Sequence, residues 1–284
     1  RVRKKTLEDS YKGFTNTQVR LDLNLNLSNS IKAAYSQKAD LLVGENDQMS
    51  SNKSPFDLKN LDATPINEDN TVIKMRPDRL YLNWESGKLS TTIGRQAIGF
   101  GNLLGFSPLD LISPFAPLDL DKDVRPGVDG IKVEYYPESL STITAVAVLP
   151  EKSEMQSYLL LYTLMGKNGD FNLLLGYNQK KPAFGLGYSQ DVKGMGMRAE
   201  SLFFGKKNNG NNSGYAQAGI EVDYLFKNTL LRNDLYVDLE FYYNGNGEGE
   251  PEKYNLQDPL ILFKGRYYAL LNSTYELTPL FKLS

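Results

Sequence analysis

The sequence predicts an all-β fold, an antiparallel transmembrane β-barrel, and three observations carry the prediction. The first is alternation: over residues 18–27, Val19, Leu21, Leu23, Leu25 and Leu27 interleave with Gln18, Arg20, Asp22, Asn24 and Asn26. Successive side chains of a strand point to opposite faces, so one face here is aliphatic and the other polar or charged. The second is the return of that pattern in segments of roughly ten residues along nearly the whole chain. The third is that short turns and long connections alternate, as they do when one barrel end carries turns and the other carries loops.

Composition narrows the function classes. The 284 residues contain no linker or helical block, so residues 1–284 are expected to form a single barrel domain. Hydrophobic residues make up 40% of the chain and the mean hydropathy is −0.42. No apolar run approaches the roughly 20 residues of a membrane helix. A barrel is exempt from that test because every second residue faces water. The net charge of −2 offers no footprint for nucleic acid. With no cysteine and no histidine, disulfides, thiol catalysis, Ser-His-Asp hydrolysis and His-ligated metals are excluded. No enzyme activity and no cofactor are expected. Asp238 and Glu240 share a strand face and could do acid–base work, but wall lining is the expected role of both. The 18 Tyr and 13 Phe suit zones where apolar and wet regions meet, and ordinary strand propensity accounts for them as well.

Thirteen strands are expected, at 17–27, 31–43, 78–85, 89–97, 128–136, 141–149, 157–165, 171–178, 183–190, 195–204, 215–225, 234–243 and 265–275, with Leu280 starting another. Short turns fall at 28–30, 85–88, 137–140, 166–170 and 191–194, rich in residues that tolerate turn geometry. Long connections fall at 44–77, 98–127, 205–214 and 244–264, and 150–156 and 179–182 are short connections on that same end. The first strand runs down to a short turn, so a further strand is expected before Arg1 and a partner for the one beginning at Leu280. About 14 strands in this chain would then belong to a barrel of about 16, incomplete at both ends.

Taking the apolar parity as lipid-facing, the expected pore lining is Arg20, Asp22, Lys32, Lys38, Asp40, Arg79, Lys132, Glu134, Arg198, Glu200, Glu221, Asp223, Asp238, Glu240 and Arg266, with Tyr81 and Asn83. The matching outer faces read Leu80, Leu82, Trp84; Ile131, Val133, Tyr135; Phe171, Leu173, Leu175, Tyr177; Ile220, Val222, Tyr224; and Leu235, Val237, Leu239, Phe241. None carries a charge, which at the bilayer midplane would cost several kcal/mol. The lumen list mixes both signs, so ion selectivity does not follow from it. Opposite charges pairing across strands is the alternative. Residues 158–165 are apolar on both faces and 144–149 nearly so, which places them either beneath an inserted loop or in a subunit contact.

Residues 98–127 are oddly apolar for a surface connection, with Leu103, Leu104, Phe106, Leu109, Leu111, Ile112, Phe115, Leu118 and Leu120. Such a segment should pack rather than stay in water, and folding inward as a constriction loop is the natural solution. Its charged candidates are Arg95, Asp110, Asp119, Asp121, Asp123 and Arg125. Arg95 has the lipid parity of its strand; it lies at the rim, or a bulge at Gly94 turns it inward to face Asp110, Asp119 or Asp121 across the pore. Asp119, Asp121 and Asp123 begin like a calcium loop, but Val124 stands where Gly is needed and Gly130 where Glu is needed. No metal is expected, an irregular calcium site at those three residues being the weaker alternative. Gly99, Gly101 and Gly105 lack dinucleotide-binding spacing and read as hinges.

The runs Gly94-Arg95-Gln96-Ala97-Ile98-Gly99-Phe100-Gly101, Ser107-Pro108-Leu109-Asp110-Leu111, Ser113-Pro114-Phe115 and Arg125-Pro126-Gly127-Val128-Asp129-Gly130 resemble Gram-negative outer-membrane porins of the alginate-export and phosphate-selective type. The resemblance is sharp over residues 78–136. It implies location in the outer membrane of a diderm bacterium and passive diffusion of small hydrophilic solutes or ions through a constricted pore. The expected partners are outer-membrane lipid and those solutes; barrels of this size are often trimers or monomers, so a homotrimer is one of two alternatives. The alternative is a structural or interaction barrel, a plugged scaffold or an adhesin, using the polar loop tips at 208–214 and 244–252.

Overall fold

The computed structural model describes residues 15–43, 56–59, 61–68, 70–113, 125–206, 214–227, 233–250, 264–278 and 281–283. Fifteen strands make one antiparallel sheet. They are β1 (Thr15–Asn26), β2 (Ile31–Val43), β3 (Ala63–Glu68), β4 (Thr71–Ser86), β5 (Leu89–Ala97), β6 (Gly127–Tyr135), β7 (Ser141–Val148) and β8 (Ser157–Gly166). The series continues with β9 (Gly169–Asn178), β10 (Lys181–Val192), β11 (Met195–Phe204), β12 (Tyr215–Phe226), β13 (Leu235–Asn244), β14 (Tyr267–Thr278) and β15 (Phe281–Leu283). One 3-10 turn, Ser153–Met155, interrupts the β7–β8 connection. Each strand pairs with its sequence neighbours except β3, which pairs only β4 and leaves β2 beside β4. Among the described residues β1 and β15 do not pair with each other.

The outer face is the aliphatic one. Val19, Leu21, Leu23 and Leu25 are 48–64% exposed, so no second layer stacks on them. Leu82, Ile93, Phe171, Ile220 and Phe241 are exposed in the same way. In water this much contiguous apolar surface would aggregate, whereas against hydrocarbon it is the surface of a transmembrane β-barrel wall. The burial sits on the other face. Ile98, Phe100, Leu109 and Ile112 pack with Val128, Val146, Val148, Leu159, Leu161, Leu174, Ala183, Leu202 and Phe204 in one cluster. Residues 158–165 and 144–149 are apolar on both faces because one side belongs to the aliphatic outer face and the other packs against residues 98–112.

Two features depart from the sequence reading. Residues 44–77 are not all connection: β4 begins at Thr71, and β3 forms a hairpin with it. Pro77 conceals this extension, because a strand interior seldom holds proline. Here it stands beside a bulge, where the register against β2 shifts between Ser36 and Gln37 and Asp78 is the extra residue. At the β9–β10 hairpin, Gln179 and Lys180 have φ of 52° and 67°. Positive φ at both central residues is the arrangement that matches strand twist, achieved here without the usual Gly or Asn.

Candidate functional site

The loop after β5 turns inward and lies on the inner wall of β8 to β13. Its seat is built from two kinds of wall residue. Glycines on the inward parity make the hollow. A Cβ on Gly185 would fall 2.5 Å from Leu109 Cδ2, and one on Gly187 3.0 Å from Leu109 Cδ1. One on Gly219 would fall 2.6 Å from Leu103 Cδ2 and 3.2 Å from the Phe106 carbonyl oxygen. Phe106 then rests against Tyr242 and Tyr268, with ring centroids 5.9 and 5.4 Å away.

Carboxylates make the clamp. Glu200 on β11 accepts the Asn102 N–H at 2.6 Å, the Leu109 N–H at 3.2 Å and the Ser107 hydroxyl at 2.5 Å. Glu221 on β12 accepts the Leu104 N–H at 2.6 Å. Glu240 on β13 accepts the Gly105 N–H at 2.8 Å and the Phe106 N–H at 2.5 Å. Consecutive amides converging on anions form a nest, and each bond is strengthened by the acceptor's charge. The clamp resolves a conflict in the sheet, since Glu221 faces Glu240 and Asp223 faces Asp238 directly across β12–β13, an unfavourable pairing of like charges. Arg198 supplies the remaining compensation by bonding Glu221 and, at 2.5 Å, Asp223.

A second set of ion pairs holds the loop from the opposite wall. Arg125 bonds Asp110 and donates to the Ser113 carbonyl at 2.8 Å. Arg79 donates to the Arg125 carbonyl at 2.6 Å and to Asp78 at 2.7 Å. Asp78 also receives Arg20 at 2.6 Å and the Gly127 N–H at 3.0 Å. Asp110 accepts the Phe100 N–H at 3.1 Å. Burial pushes the Asp110 carboxyl above the ordinary aspartate range, while the Arg125 hydrogen bond and charge pull it down.

The predicted lining thus falls into groups. Arg20, Asp22, Lys32, Lys38, Asp40, Arg79, Lys132, Glu134, Arg198 and Asp223 are on the parity opposite the aliphatic face and keep part of their side-chain surface exposed. Several of them pair in place: Lys32 with Glu85 at 2.9 Å, Lys132 with Glu134 at 2.9 Å, and Arg20 with Asp22 at 2.9 Å. Glu200, Glu221, Asp238 and Glu240 are different, since all four are 3% exposed or less, and Glu200, Glu221 and Glu240 lie beneath the loop. Alternation along one strand cannot reveal what covers a side chain. Arg266, just before β14, donates to the Gly247 carbonyl at 3.1 Å instead of standing in the wall. Asp119, Asp121 and Asp123 lie outside the described residues.

Arg95 does not belong to the constriction. The β4–β5 register sets it opposite Leu80, an outward residue, and no shift occurs at Gly94. Its guanidinium is 1% exposed because residues 56–59 cover it, pairing with Asp129 at 2.8 Å and Asp57 at 3.3 Å. It also donates to the Lys59 and Pro77 carbonyls, both at 3.1 Å. Arg76 reaches Asp57 at 3.0 Å. Burial raises the Asp57 carboxyl while the two arginines oppose that rise. The signal that could have found this arrangement is Asp129, opposite Arg95 and on the same outward parity. The glycines Gly185, Gly187 and Gly219 were legible too, as bare positions on otherwise polar inward rows.

No family model matches the chain, and no curated protein does. Among solved structures it is similar to Pseudomonas aeruginosa OccD3 (OpdP), with TM-score 0.46 and 9% identity over 93% of this chain and 67% of that one. It is similar also to Acinetobacter baumannii OccAB1, with TM-score 0.44 and 6% identity over 93% and 74%. For a low-pH structure of Pseudomonas putida OprB the values are 0.36 and 13%, over 82% and 81%.

Proposed function

We propose that this protein is an outer-membrane porin of a diderm bacterium, admitting small hydrophilic solutes or ions by passive diffusion through a pore that residues 98–127 narrow. The observation that carries the reading is the seating of the loop. An aliphatic outer wall faces lipid, while the inner wall spends Glu200, Glu221 and Glu240 on fixing a loop across the interior. The finer subtype, alginate-export or phosphate-selective, rests on the motifs of residues 94–130, and association as a homotrimer is part of the same proposal.

The test is electrical. The purified full-length protein in a planar bilayer is expected to open stable, stepwise ion channels. A membrane that stays sealed with correctly folded protein inserted would reject the porin in favour of a plugged scaffold. Current interruption by alginate oligomers or by phosphate tests the subtype.

A further inference from the structure

Between the docked loop and the mouth carrying the short turns lies a polar cavity of about 270 Å³, lined by Gly99, Gly101, Thr163, Asp170, Asn172 and Ser189 with their neighbours. Its residues come from two adjacent cross-strand rows. Thr163 faces Asn172 in one, and Met165, Asp170 and Ser189 align in the next. The polar inventory combines one carboxylate, Asp170, with the hydroxyls of Thr163 and Ser189 and the side-chain amides of Asn102 and Asn172. The loop's own amides are committed, Phe100 N–H to Asp110 and Asn102 N–H to Glu200. The Thr163 hydroxyl donates to the Asn172 side-chain oxygen at 2.8 Å, which uses the threonine's only donor. Asp170, half-buried, has no ion pair or hydrogen bond among the described residues, unlike Asp110, Asp129, Glu200, Glu221 and Glu240. Near Asp170 in the row, the next cation along is Arg198, opposite Ser189, and it is committed to Glu221 and Asp223.

We propose that this cavity is a binding subsite for the ammonium or guanidinium group of a permeating solute, with Asp170 as its anionic partner and Thr163 and Ser189 as neutral ones. Because it lies on the short-turn side of the loop, it holds such a solute after passage through the constriction from the loop side. A cationic head seated there meets one carboxylate that no described side chain pairs; the cation packed against Gly99, Arg125, is committed to Asp110. The inference rests on the porin reading, and two measurements separate the two.

In the first, putrescine is added to the bilayer chamber facing the short turns, with 1,4-butanediol as the uncharged control of similar size. Putrescine is expected to interrupt the current and butanediol is not. Asp170→Asn is expected to weaken the interruption about fivefold, the size of a partly solvated ion pair. Equal effects of the two compounds, or an unchanged response in Asp170→Asn, overturn the subsite. The second needs no conductance: saturation-transfer NMR on the detergent-solubilised protein should show putrescine bound, weakened about fivefold in Asp170→Asn and lost in Ser189→Leu, which fills the cavity. Binding without channels would reject the porin and keep the subsite; channels without putrescine binding would do the reverse.

Discussion

Glu240 and Glu221 stand directly opposite each other across β12–β13, both sealed from solvent, and each holds backbone amides of the same inserted loop. Two carboxylates so placed repel in an empty wall, so the loop is part of what makes that stretch of sheet stable. Glu240→Ala orphans the Gly105 and Phe106 amides, at about 1–3 kcal/mol for each unsatisfied group. The expected outcome is a loop that leaves the wall and a larger single-channel conductance, with the folded barrel retained in semi-native electrophoresis. Unchanged conductance in a folded variant would show that the clamp does not set the aperture.

Gly219→Val attacks the same seat without touching a charge. The new side chain collides with Leu103 and the Phe106 carbonyl, and forced overpacking of this kind costs about 1–3 kcal/mol. Because the strand backbone itself is unobstructed, conductance should rise as in Glu240→Ala. Thermal unfolding in detergent should report a modest loss. A wild-type current together with wild-type stability counts against tight seating at Leu103.

Arg95→Ala separates the rim from the pore. It leaves Asp57 and Asp129 without the cation they share, and breaking one partner of a buried charge network costs about 3–5 kcal/mol. Urea unfolding in lipid should shift to lower denaturant while conductance stays near the wild-type value, since the guanidinium lies on the outward parity. A change in ion selectivity from this substitution would place Arg95 in the lumen after all.

Leu175→Arg tests the outer wall. Leu175 is 42% exposed on the aliphatic face of β9, and an arginine there at midplane costs about 2–4 kcal/mol. Folding yield into bilayers should fall sharply, whereas Ser90→Arg, on the inward parity opposite Glu134, should be better tolerated. Similar yields for both would contradict a lipid-facing outer wall.

How much of this was legible in the sequence depends on whether the information is local. The period of two is local, so alternation through Val19, Leu21, Leu23 and Leu25 told which side chains point outward, and the turn residues told where strands reverse. β3 was hidden because Ala63–Glu68 alternates poorly, and the start of β4 because Pro77 imitates a break that the bulge at Asp78 accommodates. The apolar character of residues 98–127 announced that the loop packs against something. What parity cannot contain is contact across roughly a hundred residues of chain, such as Glu200 with Asn102, Glu221 with Leu104 and Glu240 with Gly105.

By itself, then, the sequence determined an all-β wall with one face for hydrocarbon and one for polar groups, because that division is made residue by residue along each strand. Only the tertiary structure decided which polar groups still meet water. The loop covers Glu200, Glu221 and Glu240 and leaves Asp170 open, a choice made by shape in the glycine-hollowed wall and by amide–carboxylate bonds that no single strand encodes.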